Sequence, residues 1–441
     1  MRTVTILLLL AALAVPAAAQ ESEPKWDKTK AKAAGKFAER WWKARPKTKF
    51  VDWDPEVRAK LVEEAKAFGA VPEGKLEDIV ETLFKPARKH GPRHKGGKIM
   101  TPWGEATFIV NGSGKNKGLV VGLHGGGEGA GSAGEATKWV LKKCVGMYPQ
   151  GIRLVHDTWN TVHGERFILT LIEVAKAQYG VDPDRVFVMG FSMGGTGSWF
   201  MAGRHPDLFA GAIPAHGVIM AQPKSQLPTK EEVGAIQHGI APNVRNLALY
   251  YYTGSKDTNC MPGTFLFIND EIEALKKRDP GGYSKIRFGY HEGVAHSFPA
   301  GEPGKGYKFV GKETRDTFPK KIVWEYASRP FPLGTGLPEC KRIQKRFFYW
   351  LKCARPEDRQ TIVAEIKGNE IRLDIAVRGP NEKGITILLN GKMIDAEKDV
   401  VVKVGKDEVW RGKPQPDFWT ILETLDARMD KKMVFDRRIE L

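Results

Sequence analysis

The sequence predicts an α/β protein with a mostly parallel, buried sheet, preceded by a helical extension and followed by a small β domain. Two observations predict the sheet. Short apolar runs alternate with helical stretches between residues 101 and 300, and the runs are apolar on both faces. A third observation predicts the separate β domain, because apolar and polar residues alternate after residue 361.

The composition is that of a globular chain. Of 441 residues, 41% are hydrophobic and 27% are charged, which excludes a disordered chain, a collagen-like repeat and a multi-pass membrane protein. Lys and Arg number 69 against 52 Asp and Glu, for a net charge of +17. An acidic partner is one explanation. Because the cations are scattered, and residues 85–98 lack interleaved aromatic residues, we expect a solvated basic surface and no nucleic-acid partner.

The first 19 residues have the pattern of a secretory signal peptide. Arg2 precedes an apolar run that reaches Val15, and Ala17 and Ala19 stand where a cleavage site expects small residues. The run is shorter than the about 20 residues that a spanning helix needs, which disfavours an uncleaved anchor. We therefore expect a secreted or periplasmic protein without a membrane span.

Four cysteines permit two disulfides in an exported chain. Cys340 and Cys353 are close in sequence and are the first candidates for a bridge, which leaves Cys144 and Cys260. Buried free thiols are the alternative for each. No C-x-x-C pattern is present, so zinc and redox roles are not indicated, and we expect neither metal nor cofactor.

Changes in composition and hydrophobic patterning divide the chain into five segments. They are the signal peptide (1–19), a helical N-terminal extension (20–100), the α/β domain (101–300), a connector (301–360) and a small β-rich domain (361–441). In the last segment the alternation runs from Ile371 to Val377, and Asn390-Gly391 predicts a tight hairpin turn. Its aromatic residues Trp410, Phe418 and Trp419 predict either a domain core or a stacking platform for a carbohydrate.

The segment Gly190-Phe-Ser-Met-Gly194 carries the main chemical signal. A β run over 185–189 precedes it, and a helix-compatible stretch opens at Met193. In that context G-x-S-x-G exposes a nucleophilic serine at the carboxyl edge of a parallel sheet. The glycines are needed because side chains there would collide with the neighbouring strand and helix. Ser192 is the predicted nucleophile.

The first long apolar run, 118–123, leads directly into His124-Gly-Gly-Gly127. A loop of this kind can present a backbone N–H group to an oxyanion, and the residue after the nucleophile supplies a second one. Gly126 and Met193 are therefore the predicted oxyanion donors. Taken alone, the same residues would indicate only a flexible glycine turn.

An acid and a histidine are expected after the serine, at the same edge of the sheet. The buried run 247–253 leads to Asp257, and the run 286–290 leads to His296. We therefore predict Asp257 as the acid of a triad and His296 as its base.

Two competitors for these roles remain. Asp270 lies in a predicted helix, and His291 lies in or next to a predicted strand. For three further histidines, His124, His205 and His216, a structural role is the expectation, since a lone histidine is more often structural than catalytic.

Taken together, the motifs resemble those of secreted α/β-hydrolase esterases over about residues 104–300. They are Leu123-His-Gly-Gly-Gly127, Val181-Asp-Pro-Asp-Arg-Val186, Gly190-Phe-Ser-Met-Gly-Gly195, His205-Pro206 and Glu292-Gly-Val-Ala-His296. The similar families are polyhydroxybutyrate-depolymerase-like, feruloyl-esterase-like and dienelactone-hydrolase-like proteins, and more distantly the prolyl-oligopeptidase catalytic domain. The resemblance implies the α/β-hydrolase fold. It also implies the roles given above to Ser192, Asp257, His296, Gly126 and Met193.

These features predict a secreted serine carboxylic-ester hydrolase that acts on a small-molecule or polysaccharide-linked ester. One alternative is a serine peptidase of the prolyl-oligopeptidase type, which would need a β-propeller where only about 85 helical residues precede the domain. The other is a non-catalytic polysaccharide- or surface-binding protein on a hydrolase fold. The sequence identifies neither the ester nor the oligomeric state. Candidate pocket walls are Trp159, Met193, Trp199, Cys260 and Met261, with core packing favoured for Trp199.

Overall fold

The computed structural model of the protein describes residues 25–102, 104–113, 115, 117–126, 131–151, 158–219, 238–327, 344–376 and 384–441. The predicted signal peptide lies outside these ranges, as do Gly127, Cys340 and Val377. No helix within the described ranges is long and apolar enough to cross a membrane.

The N-terminal extension is helical. Its helices are α1 (Lys28–Ala44), α2 (Pro55–Lys66), α3 (Leu76–Phe84) and α4 (Ala87–His90). Aspartates start the first two, because the Asp27 and Asp54 side chains accept hydrogen bonds from backbone N–H groups of the first turn. These helices bury large apolar side chains, including Phe37, Trp41, Trp42, Ile79 and Leu83.

The central sheet has eight strands in the order β1-β2-β4-β3-β5-β6-β7-β8. They are β1 (Lys98–Thr101), β2 (Gly104–Asn111), β3 (Gly118–Leu123), β4 (Cys144–Pro149), β5 (Val186–Phe191), β6 (Gly211–Ala215), β7 (Ala248–Gly254) and β8 (Ile286–His291). The β1–β2 and β2–β4 pairs are antiparallel, and the pairs from β4 to β8 are parallel. The fold is that of an α/β hydrolase, which confirms the predicted fold class.

The predicted runs that form β3, β5 and β7 become strands that are covered on both faces, whereas those that form β2 and β8 keep exposed residues. Every residue of β3 is buried, and in β5 only Phe191 is partly exposed. Neither β4 nor β6 is among the strands predicted from the sequence. Their sequences, CVGMYP and GAIPA, each contain a single β-branched residue among glycine, proline and other residues, so local preference for a strand is weak and pairing with sheet neighbours holds them in the sheet.

Helices cover the sheet. They are α5 (Ala133–Ala136), α6 (Val162–Val174), α7 (Met193–Arg204), α8 (Pro262–Arg278) and α9 (Glu302–Val310). Every residue of α7 is buried, and this helix packs against β5 and β6. α9 falls in the range predicted as a connector and packs against β6 and β7.

The C-terminal part contains two further sheets. The five-stranded sheet consists of β9 (Lys321–Glu325), β12 (Thr361–Lys367), β13 (Glu370–Ala376), β15 (Val400–Val404) and β16 (Asp407–Gly412). The four-stranded sheet consists of β10 (Phe347–Phe348), β11 (Leu351–Cys353), β14 (Ile385–Leu389) and β17 (Arg437–Glu440), and α10 (Phe418–Arg428) precedes β17. Strands β9 to β11 come from the range predicted as a connector. Within the described strands of these two sheets, the one parallel pair joins β13 to β15.

The hairpin predicted at Asn390-Gly391 is wrong. β14 ends at Leu389, and the next strand along the chain, β15, belongs to the other sheet. Asn390 is buried; its Nδ2 donates to the Val434 carbonyl at 2.9 Å, and its Oδ1 accepts from the Lys392 N–H at 3.0 Å. The asparagine therefore ties the crossing between the sheets to the segment that leads into β17.

Cys353 is buried in β11, with its Sγ 4.0 Å from Gln360 Oε1. Its predicted partner, Cys340, lies outside the described residues, so the pairing stays a prediction.

The N-terminal helices and α10 share one hydrophobic core, although they lie at opposite ends of the sequence. Phe418 in α10 stacks on Phe68, with ring centroids 4.3 Å apart, and Trp419 meets Trp41 edge-on at 6.2 Å. Trp410 packs instead against the core of the two C-terminal sheets. The three aromatic residues predicted as one platform or one core therefore lie in two separate cores.

Candidate active site

Ser192 occupies a sharp turn between β5 and α7. Its backbone has φ 56° and ψ −121°, a conformation that side-chain-bearing residues rarely adopt. The Ser192 N–H donates to the Ala215 carbonyl at the end of β6, with N···O at 2.9 Å, which helps to hold the turn. The serine thus stands at the N-terminus of a buried 12-residue helix, where backbone N–H groups favour negative charge.

The glycines on either side of Ser192 are required by close backbone contacts. A Cβ atom on Gly190 would lie 2.2 Å from the Gly194 carbonyl oxygen, and one on Gly194 would lie 2.2 Å from the Leu123 carbonyl oxygen. Both clashes involve backbone atoms, which cannot move aside as a flexible side chain could. Glycine is therefore needed at both positions because a side chain there would collide with the neighbouring strand and helix, as predicted from the motif.

Asp257 lies in the loop after β7 and is fully buried. Its Oδ1 accepts the backbone N–H groups of Asn259 and Cys260, each at 2.8 Å. Its Oδ2 lies 2.9 Å from Nδ1 of His296, which follows β8 and keeps 16% of its side chain exposed. The structure thus brings the predicted acid and the predicted base together.

A second histidine contacts the same carboxylate oxygen. His216 follows β6 directly, and its Nδ1 lies 2.6 Å from Asp257 Oδ2. The side chain is fully buried, and its backbone has a φ of 48°. We expected a structural role for this histidine and did not place it at the site. Its position at the carboxyl end of a parallel strand was the available signal, the same one that pointed to Asp257 and His296.

The hydrogen bonds to Asp257 keep its carboxylate ionised. Burial alone would raise the pKa of Asp257, but hydrogen bonds from His216, His296 and the Cys260 N–H outweigh it and hold the pKa well below its usual range. An ionised carboxylate only accepts hydrogen bonds, so both imidazoles carry their proton on Nδ1. Each Nε2 is then left with a lone pair, and that of His296 can take a proton. Burial lowers the pKa of His216, which favours its neutral form.

The ring of Phe191 connects the two histidines to the serine turn. Its centroid lies 4.9 Å from that of His216 and 4.8 Å from that of His296. Phe191 immediately precedes Ser192, so the Asp–His pair and the serine occupy the same edge of the sheet.

The glycine loop passes beside Ser192. A Cβ atom on Gly125 would lie 3.4 Å from Ser192 Cβ, and Gly126 follows with a φ of 80°. His124 supports the loop: its Nε2 accepts from the Gly151 N–H at 2.9 Å, and its Nδ1 lies 2.8 Å from the Gly125 carbonyl. His124 is thus structural, whereas the assignment of Gly126 and Met193 as oxyanion donors stays a prediction.

The two competitors, Asp270 and His291, do not contact Asp257 in the part of the chain that the structure describes. Asp270 is exposed on α8. His291, at the end of β8, places its Nε2 3.2 Å from Glu302 Oε1, not at Asp257. Neither side chain takes part in the network at Asp257 that the structure describes.

Of the candidate pocket walls, Trp159, Met193, Trp199 and Cys260 are buried, and Met261 is partly exposed. Trp199 belongs to the main core, with its ring 5.1 Å from that of Tyr251. Trp159 donates its indole N–H to the His124 carbonyl at 3.0 Å, and so it braces the glycine loop.

The same side chains have the spacing of a metal site. Ligand atoms of His216, Asp257 and His296 lie within 4.8 Å of one another. In the present geometry, however, both Nδ1 atoms lie at hydrogen-bond distance from one carboxylate oxygen, an arrangement that is satisfied by protons on the two imidazoles. We therefore interpret the group as a hydrogen-bonded network, and the expected absence of a metal stays a prediction.

The fold is that of an α/β hydrolase, with a serine at the strained turn between β5 and α7. Residues 146–317 match the sequence profile of the Dienelactone hydrolase family, and this range contains Ser192, Asp257 and His296. The match covers less than half of the chain. A search of curated protein sequences finds no significant match.

Solved structures give similarities of low identity. A thermostable esterase is 19% identical over 49% of this chain and 62% of its own, with a TM-score of 0.35. An acetyl xylan esterase from Aspergillus awamori is 19% identical over 47% and 94%, with a TM-score of 0.34. The acylaminoacyl peptidase of Pyrococcus horikoshii is 16% identical over 46% and 37%, with a TM-score of 0.33. Similarities at this level do not bear on the reaction or substrate of this chain.

Proposed function

We propose that the protein is a secreted or periplasmic serine carboxylic-ester hydrolase. The observation that carries the proposal is the convergence of Ser192 in its strained turn with the Asp257–His296 pair at one edge of the sheet. A serine alone is a weak nucleophile, and a neighbouring base whose tautomer is fixed by a carboxylate activates it.

In the proposed reaction, His296 Nε2 takes the Ser192 hydroxyl proton as Oγ attacks the ester carbonyl carbon. The tetrahedral oxyanion is bound by the backbone N–H groups of Met193 and Gly126. His296 then gives the proton to the departing alkoxide, so that an alcohol leaves and an acyl-serine remains. Water attacks the acyl-serine by the same path and releases the carboxylic acid. Asp257 stays ionised throughout and stabilises the imidazolium.

The proposed substrate is a small-molecule or polysaccharide-linked ester. The described residues that contact Asp257, His296 and Ser192 include no charged set that would hold a peptide terminus, which supports esters over amides in this proposal.

A fluorophosphonate probe tests the proposal, because it reacts with activated serines. We expect the full chain to be labelled and Ser192→Ala to be unlabelled. Ser198→Ala is the matched control, since Ser198 lies buried on the same helix and bonds only the Gly194 carbonyl among the described contacts. Labelling that persists in Ser192→Ala would exclude Ser192 as the nucleophile, and faster cleavage of a prolyl p-nitroanilide than of p-nitrophenyl acetate would favour a peptidase.

A further inference from the structure

A cavity lies away from Ser192, Asp257 and His296, where the N-terminal extension, the hydrolase domain and the C-terminal sheets meet. Its volume is about 820 Å³, within the size range of pockets that hold small molecules. His205, at the C-terminal end of α7, is part of its wall, whereas Ser192 stands at the N-terminal end of the same helix. Since a helix rises about 1.5 Å per residue, Ser192 and His205 are roughly 20 Å apart along the helix axis.

The wall of this cavity is strongly cationic. Glu173 and Asp52 are its acidic side chains, and its six cationic ones are Arg45, Lys49, Arg166, Lys345, Arg346 and Arg428. Glu173 receives both Arg45 and Lys49, at 2.9 Å and 2.7 Å, and Arg45 also pairs at 2.6 Å with Asp426, which does not line the cavity. Positive charge is therefore in excess on the wall.

Directly behind the wall, two cationic side chains again share one carboxylate. The buried Asp207 receives both Lys345 and Arg428, with Arg428 Nε at 2.8 Å from its Oδ2. Burial, with Arg428 nearby, lowers the pKa of Lys345 to about 8 in spite of Asp207. One carboxylate thus leaves the two buried cations incompletely neutralised.

Donors at this wall remain unused. Arg428 Nη1 is buried and finds no hydrogen-bond partner in the part of the chain that the structure describes, and the same holds for Thr48 Oγ1. The other Arg428 donors are occupied, Nε by Asp207 and Nη2 by the Tyr349 carbonyl at 2.9 Å. Since Arg428 also lines the cavity, an anionic oxygen that reached this nitrogen would supply its missing hydrogen bond.

Apolar rings complete the lining. Trp53, Tyr326 and Phe347 face the cavity, and the Arg428 guanidinium lies 5.4 Å from the Phe347 ring centroid. A ligand that satisfies both kinds of wall has an anionic group for the cations and an apolar or ring-shaped body for the aromatic residues.

We propose that this cavity is a binding site for a small organic anion, whose carboxylate or phosphate group is held by Arg428, Lys345 and Arg346 while its body packs against Phe347 and Trp53. The proposal is independent of the chemistry at Ser192. A carboxylate and a phosphate share the recognition by guanidinium and ammonium groups, and the test below separates them.

Calorimetric titration of the full chain at low salt tests the site with benzoate, phenyl phosphate and neutral benzamide. We expect saturable binding of at least one of the two anions. Benzamide should bind at least about tenfold more weakly, because it lacks the negative charge that the cationic side chains would hold. The tighter of the two anions identifies the preferred head group.

Two variants place the binding in this cavity. Arg346 is exposed, and its side-chain hydrogen bonds within the described residues go only to Gln344. Arg346→Glu should therefore leave the fold intact and weaken binding of the anion by about tenfold. Lys345→Gln should also weaken binding of the anion by about tenfold. Its melting temperature shows whether this variant is folded. Arg411→Glu is the control, because Arg411 is an exposed arginine on β16 outside the cavity. The proposal fails if neither anion binds, if benzamide binds as well as benzoate, or if Arg346→Glu weakens binding no more than Arg411→Glu.

Discussion

His216 Nδ1 lies 2.6 Å from Asp257 Oδ2, closer than the 2.9 Å between His296 Nδ1 and the same oxygen. One carboxylate oxygen thus serves two imidazoles, one fully buried and one partly exposed. The hydrogen bond from His216 fixes the orientation of the Asp257 carboxylate and stabilises part of its negative charge. His216 is therefore expected to act as a positioning residue for Asp257.

Replacing His216 should change the pH profile as well as the rate. His216→Phe removes the buried N–H donor, so Asp257 becomes less well oriented, and kcat/KM should fall by roughly tenfold to a hundredfold. The carboxylate also keeps more charge for the His296 imidazolium, so the acid limb of the kcat/KM profile should move to higher pH. His216→Asn can place an amide N–H near the Nδ1 position and should restore the wild-type limb. The nearby Tyr252 and His291 stay unchanged in both variants. A rate loss with an unmoved acid limb would indicate a purely structural histidine.

Asp257→Asn should lower kcat by about four orders of magnitude, because an amide cannot fix the Nδ1–H tautomer or stabilise the imidazolium. The matched control is Asp270→Asn, which changes an exposed aspartate on α8. Steady-state hydrolysis of p-nitrophenyl acetate is the measurement. An inactive Asp270→Asn together with an active Asp257→Asn would reverse the assignment of the acid.

Most of the candidate site could be predicted from local sequence patterns. The turn at Ser192, the loop at Gly125 and the positions of Asp257 and His296 all follow from strands that end at one edge of a parallel sheet. His216 was missed because its strand, β6, reads GAIPA and lacks the apolar β-branched run that would have marked a strand before it. Once β6 is known, the same argument places His216 at the site.

Long-range packing could not be predicted in the same way. The Asn390-Gly391 pair has the local chemistry of a hairpin, but Asn390 bonds the Val434 carbonyl from 44 residues away in the chain. Likewise, nothing local to Phe418 indicates that its ring meets helices from the other end of the sequence. Turn propensity and periodicity describe neighbours in sequence, and these contacts are set by the assembled layers.

Glu173 should make the fold sensitive to acid. Burial alone would raise the pKa of Glu173, but the charges of Arg45 and Lys49 outweigh it and lower the pKa to about 2. A folded pKa below the unfolded value of about 4.3 means that the group stabilises the fold above that pH. This contribution, on the order of 3 kcal/mol, is lost as the pH falls from about 4.3 towards 2.

Urea unfolding at pH 7 and pH 3 measures this effect. Glu173→Gln should lower the free energy of unfolding at pH 7 by about 3 kcal/mol, and the difference from wild type should shrink at pH 3. Glu77→Gln is the control, because the Glu77 side chain is 83% exposed. A deficit of Glu173→Gln that is equally large at both pH values would mean that the carboxylate charge does not stabilise the fold.

Phe418 should couple the two ends of the chain. Its buried ring stacks on Phe68 at 4.3 Å and meets Phe37 at 6.0 Å, so α10 closes the core of the N-terminal helices. Phe418→Ala removes these contacts and leaves a cavity, and we expect a loss of about 3–5 kcal/mol in the free energy of unfolding. Val409→Ala, at a 44% exposed position on β16, should change it by less than about 0.5 kcal/mol.

The same variant separates stability from chemistry. Phe418 lies outside the network at Asp257, so Phe418→Ala should react with a fluorophosphonate at the wild-type rate at temperatures where circular dichroism shows it folded. A folded Phe418→Ala that has lost labelling would mean that the core of α10 and the N-terminal helices controls the geometry of the Ser192 turn. An unfolding free energy equal to that of wild type would instead show that this core closes without the ring, and that the extension and α10 stabilise the fold independently.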